Sequence, residues 1–86
     1  MKAYLFVSAA GEPTHLAAAL RAVPGVIAAD ATTGDIDVIA VCEASGLVEL
    51  NAIVTAIHQR EDVIESHVRV VIGPAPSSTE RLSSAA

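Results

Sequence analysis

Apolar and polar positions follow two different periods along the first 73 residues, and these periods predict six secondary-structure elements. Short runs rich in β-branched residues predict strands, whereas apolar residues spaced three and four apart predict helices with one buried face. The predicted elements, in chain order, are a strand over 3–8, a helix over 14–23, strands over 26–32 and 36–43, a second helix with its N-cap at Ser45, and a strand over 63–72.

Each predicted helix carries one apolar stripe. In the first helix, Leu16, Leu20 and Val23 lie at i, i+4 and i+7, which places them on one face. Pro24 then ends this helix, because proline cannot continue the hydrogen-bonded pattern. The stripe predicted for the second helix consists of Leu47, Leu50, Val54 and Ile57.

The element order predicts an α+β fold of the ferredoxin-like type. A β-α-β-β-α-β unit with short connections forms a four-stranded antiparallel sheet with both helices on one face. Segments 20–27 and 57–64 support this interpretation, since each places a helix end, a break and a Val-Ile strand start at the same intervals. We expect one domain over 1–73, followed by a flexible tail over 74–86 that contains many small polar residues and one leucine.

The predicted strands are apolar on more than one face. A strand with one solvated face alternates apolar and polar residues, but the strand over 36–43 has Ile39 and Val41 opposite its other apolar side chains. Tyr4 and Phe6 add to the same second face. Because a monomer rarely exposes such a surface, we expect a homodimer, a dimeric α/β sandwich, formed through the sheet faces. The alternatives are a different strand register or a cover formed by residues 74–86.

Composition narrows the classes of partner. The chain has 86 residues and a net charge of −5, and its five basic residues are scattered. Nucleic-acid binding depends on clustered cations, so we expect no direct nucleic-acid partner. The single cysteine, Cys42, excludes an internal disulfide, which fits a cytoplasmic protein. No apolar run reaches 18 residues, so we expect no membrane span.

Polar groups are concentrated between the second and third predicted strands. This hairpin carries hydroxyls at Thr32 and Thr33, carboxylates at Asp35 and Asp37, and Gly34, which permits a tight turn. An α-ammonium group is bound by carboxylates, and an α-carboxylate is bound by hydroxyls or backbone amides. The hairpin supplies groups of these kinds, which makes it the first candidate for a small-molecule site. An ordinary turn, in which Asp and Thr bond to the local backbone, accounts for the same residues.

With this topology and hairpin, the chain resembles the effector-binding domain of the Lrp/AsnC (feast/famine) transcription regulators, also called the RAM domain. The resemblance covers residues 2–72. It depends on the order and spacing of Tyr-Leu-Phe-Val at 4–7, Ala-Leu-Arg-Ala-Val-Pro-Gly-Val at 19–26, Thr-Gly-Asp-Ile-Asp at 33–37 and Glu-Leu-Asn at 49–51. The Gly-x-x-Asp at 34–37, followed by an aliphatic strand, is the most specific of these motifs.

The resemblance implies a function and a set of partners. It implies dimers that assemble into octamers or decamers, an amino-acid effector beside the loop between strands two and three, and DNA-binding relatives with a helix-turn-helix. Because the chain begins on strand one, we expect a stand-alone regulatory form that co-assembles with full-length regulators. Ser66 matches a hydroxyl position of the last strand, whereas Val68 and Ile36 depart from the family pattern. The predicted ligand-binding residues are Thr32, Thr33, Gly34, Asp35, Asp37 and Ser66.

An enzyme is the second hypothesis, because small dimeric ferredoxin-like proteins include monooxygenases. Such a site uses polar aromatic or amide side chains, and this chain has one Tyr, no Trp and one Asn. His15, His58, His67 and Cys42 have no metal-site spacing, so we expect neither a metal nor a cofactor. We also expect Cys42 to be a buried small hydrophobic residue rather than a nucleophile. The sequence therefore favours a regulatory module, not an enzyme.

Overall fold

The computed structural model describes residues 1–73 and confirms the predicted β-α-β-β-α-β order. The elements are β1 (Lys2–Ala9), α1 (Pro13–Arg21), β2 (Val26–Ala31), β3 (Val38–Glu43), α2 (Leu47–His58) and β4 (Val63–Val70). The strands form one four-stranded sheet in the order β2-β3-β1-β4, and every neighbouring pair is antiparallel. The ferredoxin-like α+β prediction is therefore confirmed. The predicted tail over 74–86 lies outside the described residues.

The helix α1 begins one residue earlier than predicted and ends two residues earlier. Its N-cap is Glu12, whose carboxylate accepts a hydrogen bond from the Thr14 amide at 3.4 Å, and Pro13 occupies the first turn, where a missing amide hydrogen costs nothing. Leu16 and Leu20 are buried as predicted, and Val23 packs against the core from just beyond the helix.

The predicted N-cap of α2 was wrong by one residue. Gly46 is the N-cap, and the hydroxyl of Ser45 instead donates a hydrogen bond to the Glu49 carboxylate at 2.8 Å. The predicted stripe was also rotated about the helix axis. Leu47 is 68% exposed, whereas Ile53, which the prediction left out, is buried with the other core residues of α2.

A close approach between loop and helix fixes the position of α2 over the sheet. Gly25 has φ +95°, and a Cβ atom added there would lie 2.3 Å from Cδ1 of Ile53. The carbonyl of Gly25 accepts a hydrogen bond from the Glu43 amide at 2.8 Å. Only glycine adopts this positive φ and leaves room for the Ile53 side chain without strain.

The core lies between one face of the sheet and the two helices. Its sheet side is formed by alternate residues of β1 and β3, and no polar or charged side chain is buried among residues 1–73. Cys42 is fully buried there, as predicted, and burial raises the pKa of its thiol. The buried core residues are Ala3, Leu5, Val7, Leu16, Ala17, Leu20, Ala29, Val38, Ala40, Cys42, Ala44, Leu50, Ile53 and Ile57.

The opposite face of the sheet, which we call the outer face, is covered by no described element. Its centre is apolar, because Tyr4 lies beside Val41 and Phe6 lies beside Ile39 in the register of β1 and β3. All four side chains are half-buried by their neighbours in the sheet. The edge strand β4 contributes Glu65, His67 and Arg69 to this face, so the large apolar side chains at its centre come from β1 and β3.

Candidate functional site

The hairpin tip, residues 32–37, is a closed turn rather than an extension of the strands. The amide of Thr32 donates to the carbonyl of Asp37 at 2.8 Å, and the Thr32 hydroxyl donates to the carbonyl of Ile36. Gly34 lies in the left-handed region at φ +102°, and a Cβ atom added there would meet no described heavy atom within 4 Å beyond its chain neighbours. Glycine is therefore required there by backbone conformation and not by crowding.

Asp37 fastens this tip to the central strand β1. Its amide donates to the carbonyl of Val7 at 3.1 Å, and its carboxylate accepts from the amide of Ala9 at 2.8 Å. The pairing of β1 with β4 shifts register between Ser8 and Ala9. The carboxylate thus satisfies a backbone amide where the regular ladder is interrupted, which gives Asp37 a structural role.

An open depression of about 400 Å³ lies beside the hairpin tip, at the end of the outer face. The antiparallel register explains its composition, because Ser8 pairs with Glu65 and Phe6 pairs with His67, so these side chains share a face. The hairpin tip supplies the remaining wall. The lining residues are Phe6, Ser8, Asp35, Ile36, Glu65, His67 and Arg69.

The depression carries charges of both signs. Nε2 of His67 lies 2.8 Å from a carboxylate oxygen of Glu65, and both side chains are more than half exposed. The guanidinium of Arg69 donates to the carbonyl of Val68 at 3.1 Å. An arginine has five N–H donors, so most of its hydrogen-bonding capacity remains for other partners.

The structure brings only part of the predicted site together. Asp35 lines the depression, whereas Asp37 and Thr32 use their side chains to hold the hairpin. Ser66 lies on the helix-facing side of β4, where its hydroxyl is 3.1 Å from Nδ1 of His58. Its predicted role in ligand binding stays a prediction, but Ser66 does not line the depression.

Sequence reasoning missed the β4 contribution to this surface. Glu65, His67 and Arg69 occupy alternate positions of one strand, and that alternation was readable in the sequence. What the sequence could not supply was the register that sets them against Phe6 and Ser8 of β1.

Two other concave surfaces do not combine charged and apolar side chains in this way. A groove of about 330 Å³ lies between α2 and residues 23–25 and is lined almost entirely by apolar side chains. Another lies at the loop before β4, where Arg60 and Asp62 form an ion pair at 2.9 Å. The hydrogen bond from Arg60, with its positive charge, lowers the pKa of the Asp62 carboxyl.

Residues 1–73 contain no cluster of three or more His, Cys, Asp or Glu side chains arranged to hold a metal ion. In the same range, no helix has the length and apolar character needed to cross a membrane.

Comparison with known proteins connects this fold to one family of regulators. A family model described as the Lrp/AsnC ligand binding domain matches residues 2–80. No curated protein sequence matches the chain.

Among solved structures, a protein of Thermus thermophilus, TTHA0845, superimposes with a TM-score of 0.79 at 23% identity, covering 88% of this chain and 98% of its own. A hypothetical protein from Pyrococcus horikoshii, PHS023, gives 0.77 at 23% identity, covering 85% and 90%. The transcriptional regulator NMB0573 of Neisseria meningitidis, solved as a complex with L-Met, gives 0.73 at 21% identity, covering 91% of this chain and 53% of its own. The chain thus spans about half of that regulator, and these identities support the shared fold.

Proposed function

The chain belongs to the Lrp/AsnC ligand-binding domain family, and we propose that it senses a free amino acid and forms oligomers for transcription regulation of this type. The family match carries the regulatory part of the proposal. The Neisseria meningitidis relative that binds L-Met supports an amino acid as effector. The hairpin and the depression beside it carry groups suited to such a ligand.

The outer face supports association with a second copy. Tyr4, Phe6, Ile39 and Val41 form a continuous apolar centre that none of the described elements covers. Packing two such faces together removes this surface from water, which favours a homodimer. In this proposal, dimers assemble further into octamers or decamers and also with full-length regulators of the family.

Size-exclusion chromatography with light scattering tests the dimer. We expect the wild type to elute as a dimer or a larger assembly at micromolar concentration, and Phe6→Glu to dissociate it, because a carboxylate would be buried without a partner. Ala18→Glu is the matched control, since Ala18 is exposed on the helical side of the molecule. A wild type that is monomeric, or a Phe6→Glu variant that assembles like Ala18→Glu, contradicts this use of the outer face.

The amino-acid effector is tested by thermal denaturation with each of the standard L-amino acids. A ligand that binds only the folded state raises the melting temperature in proportion to its affinity and concentration. We expect one or a few amino acids to raise it, and Gly34→Trp at the hairpin tip to reduce that rise. If none of them changes the melting temperature of the wild type, amino-acid sensing is refuted.

The proposal does not include direct DNA binding by this chain. Its net charge is −5, and the four basic residues that the structure describes, Lys2, Arg21, Arg60 and Arg69, lie on different elements and loops. Binding to duplex DNA is driven largely by neutralisation of phosphates, so an acidic domain without a basic surface is repelled. Fluorescence anisotropy with labelled duplex DNA at low salt should show no binding, and salt-dependent binding there would contradict this part.

A further inference from the structure

The strand β4 has a free edge, because no described element lies beside it on the side away from β1. The amide of Val71, just beyond the strand, donates to the Lys2 carbonyl of β1 at 2.8 Å. Alternate residues of an antiparallel strand point their backbone groups to opposite sides, so those of Ser66 and Val68 point to the free edge. The strand contains no proline. A free edge of this kind is a template for pairing with another chain.

The side chains of β4 are complementary to those of a second β4 that runs in the opposite direction. Glu65 and Arg69 are equally far from His67 and lie on the same face of the strand. In an antiparallel pair centred on His67, the Glu65 of each copy lies opposite the Arg69 of the other. Opposite charges in directly facing positions stabilise a strand pair, and like charges destabilise it. The same register places Ser66 opposite Val68 of the second copy, so the backbone groups at the two free edges meet.

We propose that two copies of this chain pair through β4 in this register and join their four-stranded sheets into one continuous sheet. The two-fold axis of such a pair is perpendicular to the sheet, so both outer faces lie on the same side. Each outer face remains free to pack against another copy, and edge pairing combined with face packing yields a tetramer. The tetramer rests on the homodimer proposed above, whereas the edge interface depends neither on that homodimer nor on the amino-acid effector.

The groups that this pairing uses are available in the single chain. The Arg69 guanidinium donates at 3.1 Å to the carbonyl of Val68, which points to the free edge. In the pair, that carbonyl accepts from the Ser66 amide of the second copy instead, and the guanidinium binds the Glu65 carboxylate there. Glu65 is bonded to His67 through one carboxylate oxygen, Oε1, so its other oxygen can accept from the arginine.

The exposure of apolar side chains supports the same register. Ile64 and Val70 are 66% and 43% exposed, and they lie opposite each other when Glu65 faces Arg69. Pairing there removes apolar surface from water. The strand at the other end of the sheet, β2, has no such pattern. Asp30 is its only charged residue, so self-pairing of β2 offers that carboxylate no cation.

Size-exclusion chromatography with light scattering on charge variants tests the register. At micromolar concentration, we expect Glu65→Arg and Arg69→Glu each to halve the molar mass of the wild type, because each places like charges opposite one another. The double exchange, Glu65→Arg with Arg69→Glu, restores opposite charges in this register and should restore the wild-type mass. Single variants with the wild-type mass, or a double exchange that stays at half of it, refute the pairing.

A proline at position 66 tests the backbone pairing separately from the charges. Ser66→Pro removes an amide that points to the free edge and no hydrogen bond to β1, which an edge strand tolerates. Ser66→Ala is the matched control, because it also loses the hydroxyl contact to His58 but keeps the amide. We expect Ser66→Pro to have half the molar mass of Ser66→Ala, with the circular dichroism spectrum of a folded domain. Equal masses refute the edge interface, and if Ser66→Pro is unfolded, the charge variants decide.

Phe6→Glu separates the edge interface from the outer-face interface. It should disrupt face packing and leave an edge-paired dimer, which Ser66→Pro in the same chain reduces to a monomer. A Phe6→Glu variant that is already monomeric refutes edge pairing, while the homodimer through the outer face stands. If Phe6→Glu keeps the wild-type mass and Ser66→Pro halves it, the outer-face homodimer fails and the edge interface stands.

Discussion

Removing the Asp37 carboxylate should destabilise the domain by detaching the hairpin tip from the central strand. In Asp37→Ala, the Ala9 amide loses its acceptor at 2.8 Å. Hydrogen bonds to charged groups contribute about 1.5–3 kcal/mol, and partial exposure places this one near the lower end, at about 1.5–2 kcal/mol. Because about 1 kcal/mol lowers the melting temperature of a domain this size by roughly 4–8 °C, the expected fall is roughly 6–16 °C.

Thermal denaturation followed by circular dichroism measures this effect. All variants should be compared at one protomer concentration without ligand, because association itself raises the melting temperature. Asp35→Ala is the matched control, since Asp35 is exposed and makes no side-chain hydrogen bond among the described residues. It should stay within about 0.5 kcal/mol of the wild type. Asp37→Asn retains an acceptor oxygen and should fall between the two.

One result would refute the reasoning about Asp37. If Asp37→Ala and Asp35→Ala have the same melting temperature, the carboxylate does not fasten the hairpin to β1, and Asp37 becomes available for ligand binding instead. Hydrogen exchange gives a second measurement, since the Ala9 amide should exchange faster in Asp37→Ala than in Asp35→Ala.

The remaining predictions concern the core, the buried thiol and one surface ion pair. Gly25→Ala should cost roughly 2–4 kcal/mol in urea unfolding, because it combines a strained positive φ with a clash against Ile53; a stability like that of the wild type would contradict the close approach. Cys42 should react with a thiol reagent only at the rate of unfolding, since burial raises the pKa of its thiol and shields it; rapid labelling of the native protein would contradict this. The pKa of Asp62 is lowered in the fold by its hydrogen bond from Arg60, so the stabilisation by this pair should be present above about pH 4 and lost as pH falls further. Asp62→Asn should therefore remove up to about 1 kcal/mol near neutral pH and little at pH 2–3; a loss that does not depend on pH would show that the pair contributes nothing through charge.

The sequence by itself determined the order of the elements and much of the core. The strands and helices follow from hydrophobic periods that are local, and the Pro24 and Gly25 pair marks a helix end by backbone chemistry alone. Leu16 and Leu20 were placed correctly because their spacing admits only one face of a helix. The exact helix ends were not determined in this way. Ser45 and Gly46 are both acceptable N-caps for α2, and only the backbone path of the folded chain selects Gly46.

The tertiary structure decided which faces and which side chains meet. Leu47 and Ile53 are both apolar, but α2 packs on the sheet with the face of Leu50, Ile53 and Ile57 inward, which leaves Leu47 exposed. The hairpin was recognisable from its residues, but the different roles of its two aspartates were not. Asp35 is exposed to the depression while Asp37 is bonded to β1, because the contact partner of Asp37 comes from a segment 28 residues earlier.

The same reason explains the surface that the sequence did not reveal. Alternation along β4 places Glu65 and Arg69 on one face, but it does not say which strand lies beside them or what lies above them. The register between β1 and β4 supplies Phe6, and the closed hairpin tip supplies Asp35. The spacing of residues along one element therefore determines which of its side chains share a face. The pairing of distant strands determines which of those side chains come together in a site.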